Sequence, residues 1–230
     1  MATTAHNAHP GRRTGEGVQN YAKAIYQLEA RGEEAVGTGA VAHRIGVTAA
    51  SASAMLRRMA DEGLVEHTPY HGVRLTKRGT EVALEVIRHH RLIETYLSEH
   101  LGMPWDRVHE EAEVLEHYIS EELEDLIAAK LGDPSHDPHG DPIPDRDLSA
   151  PEDDGSSPLG EVDEGEIVTL SRVSDSDPAM LRFLEEREIL PGARIKVTGR
   201  QPFGGPLLVE IEGREHALGE ELVRRMRVER

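Results

Sequence analysis

The chain has 230 residues, a formal net charge of −17 and no cysteine. Disulfides, thiolate zinc centres, iron–sulfur clusters and a cysteine nucleophile are thereby excluded, so any bound metal takes nitrogen and oxygen donors. The N-terminus has no apolar run of the signal-peptide kind, and no stretch approaches the roughly 18–20 apolar residues that span a bilayer, so the expectation is a cytoplasmic protein with no membrane partner.

The charge is uneven. Residues 1–80 hold 10 Lys+Arg and 7 Asp+Glu, whereas residues 81–230 hold 16 and 36. Only the N-terminal third can approach phosphate comfortably, and the acidic remainder favours cations.

Residues 1–17 read as a disordered tail. Val18 to Ala30 places Tyr21, Ala24, Ile25 and Leu28 at helical spacing. Two short helices follow, parted by Gly46 and Val47, with Thr48 as N-cap of the second. Leu64–Glu66 and Val73–Thr76 read as strands around a turn at 68–72. Helix, helix, turn, helix, hairpin is the order of a winged helix-turn-helix, assigned to 18–80. The helix after the turn is small and hydroxylated, then basic, which suits entry into a major groove. Thr48, Ala50, Ser51, Ser53, Ala54, Arg57 and Arg58, with His71 and Arg74 of the wing, are the candidate DNA contacts. The alternative is a winged helix used for protein contacts.

Residues 81–149 read as a helical domain. Val82, Leu84, Ile87, Leu92, Ile93 and Leu97 are more apolar surface than so short a segment buries alone, which predicts a homodimer. On this domain lie His90 and Glu94, one turn apart, and then His109, Glu113, Glu116 and His117. On one continuous helix, the spacing of 0, 4, 7 and 8 gathers the second group within an arc of about 100°, beside an apolar stripe of Val108, Ala112, Leu115 and Ile119. A solvated acidic face is the plainer reading; the second His/Glu pair makes a metal site the stronger one. The Pro-, Gly- and Asp-rich stretch that follows carries His136 and His139; metal binding by them is one reading, but with no regular element to fix their geometry an extended, solvated linker is the stronger one, and residues 150–160 read as the connection to a third domain. Residues 161–230 read as a small β-barrel with one inserted helix, without a catalytic arrangement.

With these pieces in place, the chain resembles the diphtheria toxin repressor family of metal-dependent transcriptional regulators, and within it the manganese transport regulator branch. The winged helix, RHHRLIETYL, VHEEAEVLEH, DPHGDPIP and the third domain from Glu161 carry the resemblance. It implies a mainly α protein with a small β domain: an N-terminal winged helix, a helical dimerisation and metal-binding domain, and an SH3-like, FeoA-like barrel. It also implies a primary metal site on Asn20, Glu113, Glu116 and His117, and an ancillary site on His90, Glu94 and His109 with a carboxylate at Asp177, near Met180. Two ions per subunit are then expected.

Where the iron branch has cysteine and methionine, this chain has Glu113 and Asn20. Harder donors point to Mn²⁺, with Fe²⁺ and Zn²⁺ the alternatives. The implied function is a non-enzymatic repressor, with no small-molecule substrate, that binds palindromic operator DNA as a homodimer and controls metal-transport genes. A binuclear metallohydrolase is the remote alternative. Because the imidazoles ligate only when neutral, activation is expected to weaken below about pH 6.5.

Overall fold

The computed structural model describes residues 14–30, 35–68, 72–149 and 155–230. The chain divides into two compact units, neither of them a continuous stretch of sequence.

The first unit runs to His89 and takes in Glu116–Ile119 and residues 144–150. Helices α1 (Glu16–Glu29), α2 (Thr38–Ile45) and α3 (Ala49–Asp61) are followed by strands β1 (Val65–Thr68) and β2 (Gly72–Leu75) and the start of α4 (Lys77–Leu101). α1 begins two residues before the expected Val18. Its Val18, Tyr21, Ala22, Ile25 and Leu28 form one buried stripe, packed with Val41, Leu56, Met59, Leu64, Val73 and Val82. The period-3.6 pattern therefore becomes the core of the unit. Gly46 ends α2 with φ 75°, and the Thr48 hydroxyl accepts from the Ser51 amide at 3.2 Å to start α3. β1 and β2 pair antiparallel, Glu66 opposite Arg74 and Thr68 opposite Gly72. His71, expected on the wing, lies outside the described residues, as do residues 1–13 of the expected tail.

The second unit comprises His90–Leu115, Ser120–Ile143 and residues 151–230. It contains the rest of α4, then α5 (Val108–Leu115) and α6 (Glu121–Leu131), with Leu92, Ile127, Ala128 and Ile143 forming a small core. Strands β3 (Ser157–Pro158), β4 (Ile167–Val173), β5 (Arg194–Arg200), β6 (Leu207–Ile211), β7 (Arg214–Leu218) and β8 (Met226–Glu229) make one antiparallel sheet in the order β3-β8-β4-β5-β6-β7. α7 (Pro178–Glu185) buries Leu181 and Leu184 in its core, and α8 (Glu220–Val223) lies between β7 and β8. Bulges in the β4–β8 and β5–β6 pairings bend the sheet.

Two expectations are corrected here. The helix expected to continue through Ile119 stops at Leu115, so Glu116 and His117 lie in the turn after it and the single-helix arc does not hold. Ser120 caps α6 by accepting from the Leu123 amide, which demands an extended backbone at Ser120, and the His89 ring takes the Glu116 carbonyl at 3.0 Å. The stretch read as an extended linker is instead a folded loop over 135–143. Asp137 Oδ1 accepts from the amides of His139 and Asp141 at 2.8 and 2.9 Å, the Ile143 amide bonds the Ser135 carbonyl, and the Val173 amide of β4 bonds the His139 carbonyl. Short-range Asp-to-amide bonds of this kind turn a Pro/Gly-rich segment into a rigid one.

Candidate metal centre

In the second unit α4 presents His90 and Glu94 one turn apart, with His90 Nε2 2.9 Å from Glu94 Oε1. α5 brings His109, whose Nδ1 lies 3.2 Å from the same oxygen and 3.1 Å from His90 Nε2. The segment between β4 and α7 adds Asp175, 3.0 Å from His109 Nδ1, and the folded loop adds His139 and Asp137. Glu113 borders the cluster, 3.8 Å from His90 Nδ1 and 3.7 Å from His109 Nε2. Two donor groups result, His90, Glu94, His109 and Asp175 on one side and Glu94, Asp137 and His139 on the other, with the potential ligand atoms within 4.8 Å of one another in each.

Glu94 is common to both groups and wholly buried. Among the described residues its Oε2 has no hydrogen-bond partner, and neither does His139 Nδ1, 3.8 Å away. His139 donates from Nε2 to the Trp105 carbonyl at 2.8 Å, which leaves Nδ1 to face the carboxylate. A gap of 3.8 Å between a carboxylate oxygen and an imidazole nitrogen is spanned by one ion at metal–ligand distances of about 2.0–2.3 Å. An acidic, imidazole-rich donor set with an orphaned buried pair fits a divalent cation.

The charges tell the same story from the metal-free side. Burial works against charge on His109, but its hydrogen bonds to Asp175 and Glu94, and their charges, push its pKa up to about 10. Burial is likewise outweighed at His139 by the Glu94 carboxylate, Asp137 and Asp175, which lift it to about 9. Burial would raise Glu94, yet the charge of His90 and the imidazoles of His109, His139 and His90 hold it well below the usual carboxylate range. Asp137 goes the other way: burial first, then the charges of Glu94 and Asp141, raise it well above the ordinary value.

The expected pH window therefore moves upward. With pKa values raised this far both imidazoles are expected to hold protons at neutral pH, which a divalent ion ligated by them would have to replace. Binding at pH 7.5 should release on the order of one proton per ligating imidazole, with affinity rising as pH increases toward 9. The imidazolium contacts stabilise the metal-free fold fully below about pH 6.5, and that contribution is lost as pH rises through about 9 to 10. Calorimetric titration of metal in buffers of different ionisation enthalpy measures the release, and zero protons at pH 7.5 contradicts ligation by these imidazoles.

The first unit holds a separate group. Glu116 receives the Lys23 ammonium on both oxygens, at 3.0 and 2.7 Å. His117 donates from Nδ1 to Gln19 Oε1 at 2.8 Å, which leaves Nε2 on the side of Glu116, 3.5 Å from its Oε1. Asn20, the residue expected to ligate, stands half-buried on α1 next to Gln19.

Asp177 is not gathered into the cluster: it caps α7, accepting from the amides of Ala179 and Met180. The carboxylate from this part of the chain is Asp175. The signal was in the sequence, because an Asp followed by Pro at a helix start is an N-cap with Pro at N1, which leaves the other acid free. Of the two histidines assigned to a solvated linker, His136 is exposed while His139 is fully buried, because Gly140 lets the loop close on β4. Asp137 carries no signal of its own in the sequence, and neither do Gln19 and Lys23 beside His117 and Glu116. Only together with His139, in Asp-Pro-His-Gly, with acid and imidazole two apart between two rigidifying residues, was there a readable clue for Asp137.

On the winged helix, α3 exposes Thr48, Ala50, Ser51, Ala54, Arg57 and Arg58, while Ser53 is half-buried and Ala52, Leu56 and Met59 face inward. Arg57 donates to the Ser53 carbonyl at 3.1 Å and Arg58 pairs with Glu62 at 2.8 Å. Arg74 is exposed on β2.

Comparison with known proteins identifies the family. Residues 13–73 match the family of iron dependent repressor N-terminal DNA binding domains, residues 76–145 the iron dependent repressor metal binding and dimerisation domain, and residues 157–230 the FeoA domain. The iron-dependent repressor IdeR of Mycobacterium leprae is 30% identical, over 91% of this chain and 95% of the relative. The diphtheria toxin repressor of Corynebacterium diphtheriae is 27% identical over the same shares. A solved manganese-dependent transcriptional repressor in complex with manganese is similar with a TM-score of 0.85 and 41% identity, covering 92% of this chain and 98% of that one. Three matched domains, and a 30% identical relative aligned over nearly its whole length, place this chain in the diphtheria toxin repressor family of metal-dependent transcriptional regulators.

Proposed function

We propose that the protein is a Mn²⁺-responsive repressor that binds palindromic operator DNA as a homodimer and controls metal-transport genes. The buried cluster around Glu94 carries this reading: it gathers carboxylates and imidazoles in a chain without cysteine, and such donors suit a harder ion. His90, Glu94, His109, Asp175, Asp137 and His139 would hold metal in the second unit, and Glu116 and His117 in the first. Asn20 would add an amide oxygen, and Glu113 would complete the set beside His90 and His109. A bound cation supplies positive charge among acids that otherwise repel one another, and this favours the loaded arrangement by its differential affinity, typically about 1–3 kcal/mol.

The exposed face of α3 would enter the major groove, with small residues at its N-terminus against the bases and Arg57 and Arg58 on phosphate. Val114 and Leu115 on α5 and Leu123 and Leu126 on α6 are exposed apolar side chains of the kind a dimer covers. Zinc remains a second reading, since the repressor ScaR, 29% identical, was solved with bound Zn²⁺, and Zn²⁺ binds such donors more tightly than Mn²⁺ as a rule.

The test is selection of genomic DNA fragments by the full-length protein in chelator, Mn²⁺, Fe²⁺ and Zn²⁺, each at a buffered free concentration. The expected result is a palindromic site recovered with Mn²⁺ and lost in chelator. Equal recovery in chelator removes metal control, and recovery only with Fe²⁺ or Zn²⁺ reassigns the ion.

A further inference from the structure

The Lys23–Glu116 pair has no place in a simple ligand set. Glu116 has a fully buried side chain, Lys23 is nearly so, and the two come from positions 93 apart in the sequence. A buried carboxylate without a cation is costly, so the ammonium stabilises the metal-free state. It does so on the two oxygens that a metal ligated by Glu116 must share. A divalent ion a few ångströms from an ammonium is repelled by it, and repulsion is strong where water is excluded.

We propose that Lys23 is a resident counter-cation of Glu116 which a divalent ion must displace, so that Lys23 sets the free-metal concentration at which the first unit loads. The flexible four-carbon stem of lysine lets the ammonium leave without unravelling α1. Gln19, one turn earlier on the same helix, holds the His117 ring with Nε2 toward Glu116, so α1 both orients one ligand and blocks the other. The inference rests on the reading of Glu116 and His117 as ligands.

The test is Mn²⁺ binding to the full-length protein, followed by the electron paramagnetic resonance signal of free Mn²⁺, together with melting curves with and without the ion. Lys23→Met should bind about tenfold more tightly at one site, melt at a lower temperature than wild type when metal-free, and gain more from saturating Mn²⁺. Lys23→Arg, which keeps the charge, should stay near wild type. Unchanged or weakened affinity in Lys23→Met overturns the proposal, because a merely structural or orienting lysine behaves that way. Glu116→Gln separates the two layers: wild-type affinity at every site in that variant removes Glu116 from the ligand set, and the counter-cation role falls with it. Should Lys23→Met fail to fold, the wild-type ammonium can be followed by nitrogen-15 resonance, since Lys23 is one of four lysines. Its buried signal should shift on saturation with Zn²⁺; a signal that stays unchanged overturns the proposal.

Discussion

Glu94→Gln should lower metal affinity in the second unit by about 100-fold, the largest loss expected from any single exchange in the cluster. Glu94 joins both donor groups, and its carboxylate is wholly buried between three imidazoles. The amide keeps the shape of the side chain and removes the charge. Without it, His109 and His139 lose a partner that sustains their protonation, so their pKa values should fall from about 10 and about 9 toward the ordinary histidine range. The variant therefore carries two signatures: weak metal binding, and imidazole titration near pH 6–7 that nuclear magnetic resonance of the histidine rings detects. Wild-type affinity with normal titration would show that the two donor groups act independently of the residue they share.

Gly140→Ala should be among the most destructive small substitutions at the described residues. Gly140 has φ +86°, and a β-carbon there would sit 1.9 Å from the Ser171 carbonyl oxygen of β4, a distance no rotamer change relieves. The positive φ alone costs roughly 1–2 kcal/mol for a non-glycine residue. With the collision the loss should reach about 3 kcal/mol or more, a fall in melting temperature of about 6–12 °C. Because the same loop carries His139 and Asp137, metal affinity should fall with stability. Gly132→Ala is the control: φ is +77°, but nothing lies within 4 Å of the added carbon, so only the conformational cost applies. Equal melting of the two variants would mean that the loop does not close on β4 in solution.

The elements that sequence shows best are those with a long, one-sided apolar period. α1, α3 and the wing strands fall where hydrophobic spacing and turn residues put them, within a few residues, and the chain after Glu161 is mainly strand as expected, with a second short helix, α8, besides the expected one. His90 and Glu94 stand one turn apart as their spacing suggests, and His109 joins them as the family resemblance implied. Asp137, His139 and Asp175 escaped because they lie in loops, whose geometry is fixed by amide bonds to Asp137 and by the close approach at Gly140. Those are contacts between distant segments, and no local period encodes them. Lys23 escaped for the opposite reason: on a helix with a clear apolar stripe, a lysine reads as solvated, and its contact with Glu116 comes from a position 93 residues away.

The discontinuity of the first unit bears on how the chain comes off the ribosome. α1, α2, α3 and the wing are complete by Leu75, yet Glu116–Ile119 and residues 144–150 belong to the same unit. At about 5–20 residues per second, roughly 5–20 s separate the synthesis of Lys23 from that of Glu116. During that interval the nascent N-terminal helices lack the Glu116 carboxylate that meets Lys23, so the unit is finished only after the chain has passed through part of the second one. A fragment cut after His89 reproduces that unfinished state: it should be less stable and should lack a metal response, however well its helix-turn-helix is formed.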